Sequence, residues 1–389
     1  MDRLHDLIQR YCPNGVVFAR IADIADISIG EFVHKSKQSP DGKYPVYNGG
    51  TTNTGFYDDF NRTANKIIIS ARGANAGYVN RVFTNFWSGN SCYSIDVENT
   101  NADWNFVFYC LKNGEKKLLG EQQKGGIPAV SKKQVEQFRI PLPPLAVQQE
   151  IVRILDSFTE LTAELTAELT ARRKQYEHYR DELLSVGGDF KTYPLGEVTE
   201  FIRNGYNYKA DGDRSKTYKI SRIETISTGV INMERVGSSE QINERYLLQD
   251  GDILFSHINS LPYLGNVAYY TENLGKLYHG MNLLCFRAKK ELVIPKYLYY
   301  VLKSNNIRKL VNRYAKQSCN QYSLTTSDIK SWTIPLPSLE QQEDIVSVLD
   351  RFDAICNDLP SGLPAEIAAR QKQYEYYRDK LLTFKELEI

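Results

Sequence analysis

Several patterns that accompany enzyme chemistry are missing from this 389-residue sequence. Its six cysteines never stand at CxxC spacing and its five histidines form no HxxxH or HExxH pair, which argues against a metal site and a disulfide framework. It has no GxxxxGK[ST] loop for a nucleoside triphosphate and no GxGxxG loop for a cofactor. Pro143-Pro144 lacks the acid or amide before it and the aromatic after it that a methylase motif needs. We therefore expect no catalytic residue, no metal and no cofactor bound by this chain.

Long apolar runs and a strong net charge are also missing. No stretch approaches eighteen consecutive apolar residues, and the acids Asp2 and Asp6 stand where a signal peptide needs bases. We expect a cytoplasmic protein that has no contact with a membrane. The net charge of +1 does not suggest a uniformly basic nucleic-acid binder.

The sequence does, however, contain an internal repeat. Residues 140–156 and 334–350, which both begin with Ile-Pro-Leu-Pro, are identical at ten of seventeen positions. Residues 171–184 return at 369–382 with eleven of fourteen positions identical. The regions ahead of these blocks match only faintly, for example Ile67-Ile68-Ile69-Ser70 against Ile253-Leu254-Phe255-Ser256. Such a duplication predicts a variable block at 1–140, a constant block at 141–186, a variable block at 187–335 and a constant block at 336–389.

The constant blocks have the pattern of long amphipathic helices. Residues 145–184 contain no Gly or Pro, and their apolar residues recur at steps of three, four and seven. Such a helix, roughly 60 Å long, is expected to pair antiparallel with the second copy, in which Pro360 and Pro364 predict a break near 358–364. The residues predicted to pack these helices or to dock a protein partner are Ile151, Leu155, Phe158, Leu161, Leu165, Leu169, Tyr176, Tyr179, Ile345, Leu349, Phe352, Tyr374 and Tyr377.

Charge is divided between the two kinds of block. Bases exceed acids by three in residues 1–140 and by six in 187–335, whereas acids exceed bases by three in 141–186 and by five in 336–389. Positive blocks with interleaved amides and aromatics indicate contact with a nucleic acid. The candidate contacts are Lys35, Lys37, Lys43, Arg72, Asn75, Tyr206, Asn207, Tyr208, Lys209, Arg214, Lys216, Ser256, His257 and Asn259. We also predict one basic helix from Lys296 to Lys316, whose polar side carries Lys303, Arg308, Lys309, Arg313 and Lys316.

A metal-dependent nuclease is a remote alternative. Asp103 with Glu115-Lys116-Lys117 has the form of an acid followed by ExK, in which paired acids hold a divalent metal and a lysine supports the attacking water. The pattern is short, and Asn113-Gly114 places the glutamate after a turn.

Taken together, the motifs closely resemble the specificity subunits of type I restriction-modification systems. Each variable block is followed by Ile-Pro-Leu-Pro, by a helix with Ile-Val and Leu-Asp, and by a Lys-Gln-Tyr and Tyr-Arg-Asp helix end. The tandem Thr-Ala-Glu-Leu units at 162–169 resemble the type IC subgroup and are expected to act as a spacer. The resemblance implies an α+β (mixed α/β) fold with two target recognition domains of twisted sheets, 1–140 and 187–335. A pair of long antiparallel helices would separate these domains in a pseudo-twofold arrangement.

The resemblance also implies what the chain acts with. It would bind a bipartite, gapped site in double-stranded DNA and dock two adenine-N6 methyltransferase subunits, with two motor-nuclease subunits completing the complex. S-adenosylmethionine, ATP and Mg²⁺ would be used by those partners, in a bacterial or archaeal cytoplasm. A helix at 2–11, carrying Leu4, Leu7, Ile8 and Tyr11, would pack near Leu381-Leu382. A specificity partner of a bipartite type II methylase-nuclease is the close alternative.

Overall fold

The computed structural model describes residues 2–120, 128–185, 190–207, 218–318, 321–357 and 362–388. Contacts divide the chain into unit 1, Met1–Thr166 with Glu366–Ile389, and unit 2, Ala167–Ala365. This division differs from the blocks drawn by sequence likeness because each constant helix packs against a variable block and is counted with it.

Unit 1 carries a four-stranded sheet, a three-stranded sheet and helices. Its elements are α1 (Asp2–Tyr11), β1 (Val17–Arg20), α2 (Ile21–Ile24), β2 (Ala25–Ile29), β3 (Tyr44–Tyr47), β4 (Gly55–Tyr57), β5 (Lys66–Ser70), β6 (Val79–Val82), β7 (Trp87–Ser88), β8 (Cys92–Val97), α3 (Trp104–Asn113), α4 (Glu115–Gly120), α5 (Lys132–Gln137) and β9 (Arg139–Leu142). The larger sheet has the antiparallel order β2-β8-β5-β6. The smaller has the order β4-β3-β7 with a parallel β3–β7 pair, and β1 pairs with β9.

The central strand β5 shows why both faces of the larger sheet are covered. Ile67 and Ile69 are fully buried in the main core with α3, whereas Ile68 belongs to a smaller core with Val82 and Phe86. Successive strand residues face opposite sides of a sheet, so a continuous apolar run predicts burial on both sides.

A single helix, α6 (Leu145–Ser185), crosses from unit 1 into unit 2. Its bounds agree with the prediction from the absent Gly and Pro. The boundary between the units lies within it, at residues 166 and 167.

Unit 2 repeats the plan of unit 1. Its elements are β10 (Thr192–Pro194), α7 (Leu195–Val198), β11 (Thr199–Asn204), β12 (Tyr218–Ser221), β13 (Gly237–Ser239), β14 (Ile253–Ser256), β15 (Ile258–Asn259), β16 (Val267–Tyr269), β17 (Tyr278–His279), β18 (Leu283–Ala288), α8 (Pro295–Leu302), α9 (Asn305–Tyr314), β19 (Lys316–Ser318), β20 (Gln321–Ser323), α10 (Thr326–Ser331) and β21 (Thr333–Pro335). The sheets β11-β18-β14-β16 and β13-β12-β17 and the pair β10-β21 correspond to those of unit 1. A third sheet, β15-β20-β19, is described in unit 2 alone.

The distal constant block forms α11 (Leu339–Asn357) and α12 (Leu363–Leu381), on either side of the predicted break. Each unit contains one stacked aromatic pair between its constant helices. In unit 1, Phe158 on α6 stacks on Tyr377 with ring centroids 5.5 Å apart. In unit 2, Tyr179 on α6 stacks on Phe352 with ring centroids 5.8 Å apart. The two pairs occupy repeated sequence positions, so each unit holds the same helix packing. No helix among the described residues has the length and apolar character needed to span a bilayer.

A buried glutamine holds the start of the constant helix in each unit. In unit 1, the Gln148 amide donates to the carbonyls of Pro143 and Asn101 at 2.6 and 2.8 Å and accepts from the backbone N–H of Asp103 at 2.8 Å. Gln342 makes the same three bonds in unit 2, to Pro337, Leu292 and Ile294. Both side chains are fully buried, so the repeated glutamine is a structural residue.

A repeated aspartate then ties the same helix to the helix behind the sheet. The Tyr109 hydroxyl donates to Asp156 at 2.5 Å, and Arg81 pairs with this carboxylate at 2.8 Å. In unit 2, the Tyr300 hydroxyl donates to Asp350, which Lys296 approaches to 3.5 Å.

The two ends of the described chain meet in unit 1. Leu4 is buried in the same core as Leu381 and Leu382, and Leu387 N donates to Val16 O at 2.9 Å. Leu7 and Ile8 pack against this core, as predicted, whereas Tyr11 is 46% exposed and is not part of it.

Candidate nucleic-acid interface

In unit 1, three loops meet at the end of β5. The Ser70 hydroxyl donates to Gly50 O at 2.9 Å, and Ala71 N donates to Ser91 O at 2.8 Å. A Cβ at Gly49, whose φ is +77°, would lie 3.2 Å from Arg72 O, so the backbones approach closely here. The candidates Arg72 and Asn75 are exposed on this framework.

Three further candidates follow β2. Lys35 and Lys37 lie in a 3-10 turn, and Lys43 precedes β3; all three are exposed. The segment leaves the sheet at Gly30, where a Cβ would lie 2.0 Å from Ser88 O. Because glycine has no Cβ, the backbone can pass close to β7 at this point, and the segment that carries the lysines begins there.

In unit 2, the equivalent loop starts with Tyr206 and Asn207. Tyr206 is partly buried and its ring centroid lies 5.5 Å from that of Tyr246, over which the Arg245 guanidinium lies at 4.6 Å. Asn207 is exposed. The candidates Tyr208, Lys209, Arg214 and Lys216 lie outside the described residues. Sequence reasoning missed Arg245 and Tyr246, because some forty residues separate them from the loop that they adjoin.

Two predicted contacts of unit 2 are buried. Ser256 is fully buried and its hydroxyl accepts from the Asn259 amide at 3.1 Å. His257 is 6% exposed, and burial lowers its pKa to about 4, as it does the pKa of His279. At neutral pH these imidazoles are uncharged. Ser256 and His257 support the loop from beneath, and Asn259 is the partly exposed member of the three.

The expected basic helix from Lys296 to Lys316 is in fact two helices. The Ser304 hydroxyl accepts from Ile307 N at 3.4 Å and caps α9, which separates it from α8. Lys303 donates to the Tyr299 hydroxyl at 2.9 Å and Arg308 to Leu264 O. Burial lowers the pKa of both cations. These two side chains therefore serve the fold, whereas Lys309, Arg313 and Lys316 are exposed.

The type I restriction modification DNA specificity domain family matches residues 13–172 and 187–369 of this sequence. The chain belongs to this family. It is 32% identical over 292 residues to the EcoR124I/EcoR124II specificity subunit of Escherichia coli, covering 72% of this chain and 70% of that protein. It is 38% identical over 184 residues to the Methanocaldococcus jannaschii protein named as the MjaX specificity subunit, covering 46% of this chain and 43% of that protein. The chain thus spans less than half of the length of that relative.

The fold is similar to that of the type I system S subunit from M. genitalium, with a TM-score of 0.61 at 19% identity. The alignment covers 94% of this chain and 96% of that one. The expected mixed α/β fold of a specificity subunit, with two domains and long helices, is confirmed.

The helix residues predicted to pack or dock divide by exposure. Ile151, Leu155, Tyr176 and Leu349 are buried within their own units and pack the fold. Seven positions are partly buried, so that part of their apolar surface packs within the unit and part remains exposed: Phe158, Leu165, Leu169, Ile345, Phe352, Tyr374 and Tyr377. Leu161 and Tyr179 are exposed, as are Ile355 and Tyr376, which the apolar stripe did not include.

The residues of the nuclease alternative do not form one site. Asp103 caps the start of α3 by accepting from Asn105 N at 2.9 Å, whereas Glu115 follows its end and pairs with Lys112 at 2.6 Å. The two residues lie at opposite ends of a ten-residue helix about 15 Å long, which is too far apart for a shared metal ion. In the described ranges, no group of three His, Cys, Asp or Glu residues could hold a metal.

Proposed function

We propose that this chain is the non-catalytic DNA specificity subunit of a type I restriction-modification complex. Unit 1 and unit 2 each bind one half of a bipartite, gapped site in double-stranded DNA. The constant helices dock two adenine-N6 methyltransferase subunits that use S-adenosylmethionine, and two motor-nuclease subunits that use ATP and Mg²⁺ complete the complex. The protein would work in the cytoplasm.

The observation that carries this proposal is one scaffold present twice with different loops. Gln148 and Gln342 make the same three hydrogen bonds, whereas the loops beyond the strands carry different side chains. Equal helices fit two copies of one partner. Different loops fit two different DNA sequences, because base edges are read by side-chain chemistry.

The first experiment is single-molecule methylome sequencing of cells that express this chain with a cognate methyltransferase gene. We expect a split motif with one N6-methyladenine on each strand. Replacing residues 187–335 with another variable block should change one half-site and leave the other half and the spacer unchanged. A complex that assembles, as shown by co-purification, but methylates no split motif would contradict the proposal.

The Thr-Ala-Glu-Leu units give a second test, of the spacer between the half-sites. Deleting Thr166 to Leu169 removes about 6 Å of α6 and about 40° of rotation. We expect the unread spacer to shorten by about one base pair with both half-sites unchanged, measured from the same methylation motif. Replacing Thr166, Glu168 and Leu169 with alanine keeps the helix length and should leave the spacer unchanged. Altered half-sites after the deletion would argue against a spacer role.

A further inference from the structure

In unit 1, one exposed arginine sits on a backbone that is held on both sides. Ala71 N donates to Ser91 O at 2.8 Å and Val130 N donates to Ala71 O at 2.9 Å. The next residue, Arg72, forms an antiparallel bridge with Ala129. Its backbone is therefore fixed while its side chain is exposed.

Unit 2 builds the same junction with other residues. Leu324 N donates to His257 O at 2.9 Å, which matches the Val130 bond. The next residue, Ile258, pairs with Ser323, and Ser323 pairs with Lys316 across the β15-β20-β19 sheet. Unit 1 therefore has a single β-bridge at the place where unit 2 begins the β15-β20-β19 sheet, which we call the ribbon.

Strand register establishes that the two positions are equivalent. In unit 1, Ser70 at the end of β5 lies opposite Cys92, the first residue of β8. In unit 2, Ser256 at the end of β14 lies opposite Leu283, the first residue of β18. Arg72 stands two residues after the one serine, as Ile258 stands two residues after the other.

The ribbon of unit 2 shows which side of this junction meets solvent. Residues directly opposite in a ribbon share one face, and successive residues alternate faces. Asn259, Tyr322 and Gln317 form one row, in which Tyr322 packs on the main core and Asn259 bonds the buried Ser256. Asn259 and Tyr322 therefore face inward, whereas Gln317, on the edge strand of the ribbon, is exposed. Ile258 lies on the opposite face, in the row of Ser323 and the exposed Lys316; it is partly exposed and belongs to none of the described hydrophobic cores.

The outward position has opposite chemistry in the two units. The Arg72 side chain forms no hydrogen bond and no ion pair with any residue that the structure describes, so its donors are available to a ligand. A guanidinium presents a planar fork that matches O6 and N7 of guanine in the major groove. Ile258 has no donor and offers an apolar surface of the kind that contacts a thymine methyl group.

We propose that Arg72 and Ile258 are specificity-determining residues at matching positions of the two units. Arg72 reads a guanine in the half-site bound by unit 1, and Ile258 disfavours guanine at the matching place in the half-site bound by unit 2. This assignment rests on the proposed function, because it presupposes that each unit binds one half of a double-stranded DNA site.

The test uses the full chain assembled with its methyltransferase subunits. The probes are DNA duplexes that carry the wild-type methylation motif with one position at a time randomised. Arg72→Ala should lower the preference for guanine at one position of one half-site by roughly tenfold to a hundredfold. Arg72→Lys should lower it by a smaller factor, because an ammonium keeps the charge and can reach O6 and N7 but lacks the planar fork that holds both bonds in one geometry. Arg10→Ala, on the exposed surface of α1, removes the same charge and should leave the preference unchanged.

The second arm changes unit 2. Ile258→Arg should raise the preference for guanine at one position of the other half-site and leave the half-site of unit 1 unchanged. A guanine preference that survives in both Arg72 variants would overturn the assignment. So would equal weakening on all sequences with a smaller salt dependence, which indicates a phosphate contact. In either case the wild-type complex would still methylate a split motif, whereas a wild-type complex with no split motif would contradict the proposed function itself.

Discussion

Unit 1 and unit 2 use one architecture for two surfaces, and they differ where strands give way to loops. The positions that hold the scaffold are the same in both: Gln148 matches Gln342, and Asp156 matches Asp350. At the strand ends, Ala71 and Ser88 of unit 1 correspond to the buried His257 and His279 of unit 2. The comparison teaches that duplication kept the residues whose bonds fix the helices. The residues beneath and beyond the loops diverged, since these decide what each surface presents.

Lowering the pH should produce the largest difference in stability between the two units. His257 and His279 have pKa values near 4 in the folded protein and about 6.5 when unfolded, so the unfolded state takes up protons first as the pH falls below 6.5. The stability that the two uncharged histidines contribute is fully present above pH 6.5 and is lost progressively as the pH falls towards 4. At pH 5 each histidine should lower the free energy of unfolding of unit 2 by about 2 kcal/mol relative to neutral pH. Among the described residues of unit 1, both histidines, His5 and His34, are exposed.

The measurement is hydrogen exchange at pH 7.5 and pH 5, corrected for intrinsic rates, with peptides from β14–β18 compared with those from β5–β8. We expect protection to fall further in unit 2. The double variant His257→Ala, His279→Ser carries the residues of unit 1 and should abolish the difference in acid response. Equal acid responses of the two units in the wild-type chain would contradict this prediction.

Removing the buried glutamine should lower the stability of both units by about the same amount. Gln148→Ala and Gln342→Ala each delete three hydrogen bonds and leave buried backbone groups without partners, which should cost about 3 kcal/mol of unfolding free energy. Denaturant titration measures the loss. The neighbouring Gln149 is exposed, and Gln149→Ala should change stability by less than about 0.5 kcal/mol. Clearly unequal losses for the two buried residues would show that the scaffold positions are not equivalent.

The aspartates should distinguish the units by a smaller margin. Asp156→Ala leaves Arg81, whose side chain is 13% exposed, without its carboxylate and should cost about 3 kcal/mol. Asp350→Ala should cost about 1 kcal/mol less, because Lys296 is 30% exposed and lies farther from its partner. Thermal unfolding of the two variants provides the comparison. A larger loss for Asp350→Ala would mean that the hydroxyl bond from Tyr300 outweighs the ion pairs.

The sequence predicted the helices far better than the loop surfaces. Absent Gly and Pro and a regular apolar stripe predict α6 almost to the residue, because a helix depends on local spacing. The same reasoning extended one basic helix through Ser304, which instead caps the start of a second helix, α9. It also expected Ser256 and His257 at the surface, although Ser256 ends a buried strand and Leu324 closes over the next residue.

The sequence by itself determined the duplication, the long helix and the membership in a family, because each is written in local spacing or in repeated residues. Tertiary structure decided which repeated polar residues are structural and which loop residues are exposed. It also brought Arg245 and Tyr246 beside Tyr206 and placed Arg72 and Ile258 at one position of two units. The physical reason is that burial and strand register depend on partners distant in sequence, such as Ala129 opposite Arg72 and Ser323 opposite Ile258.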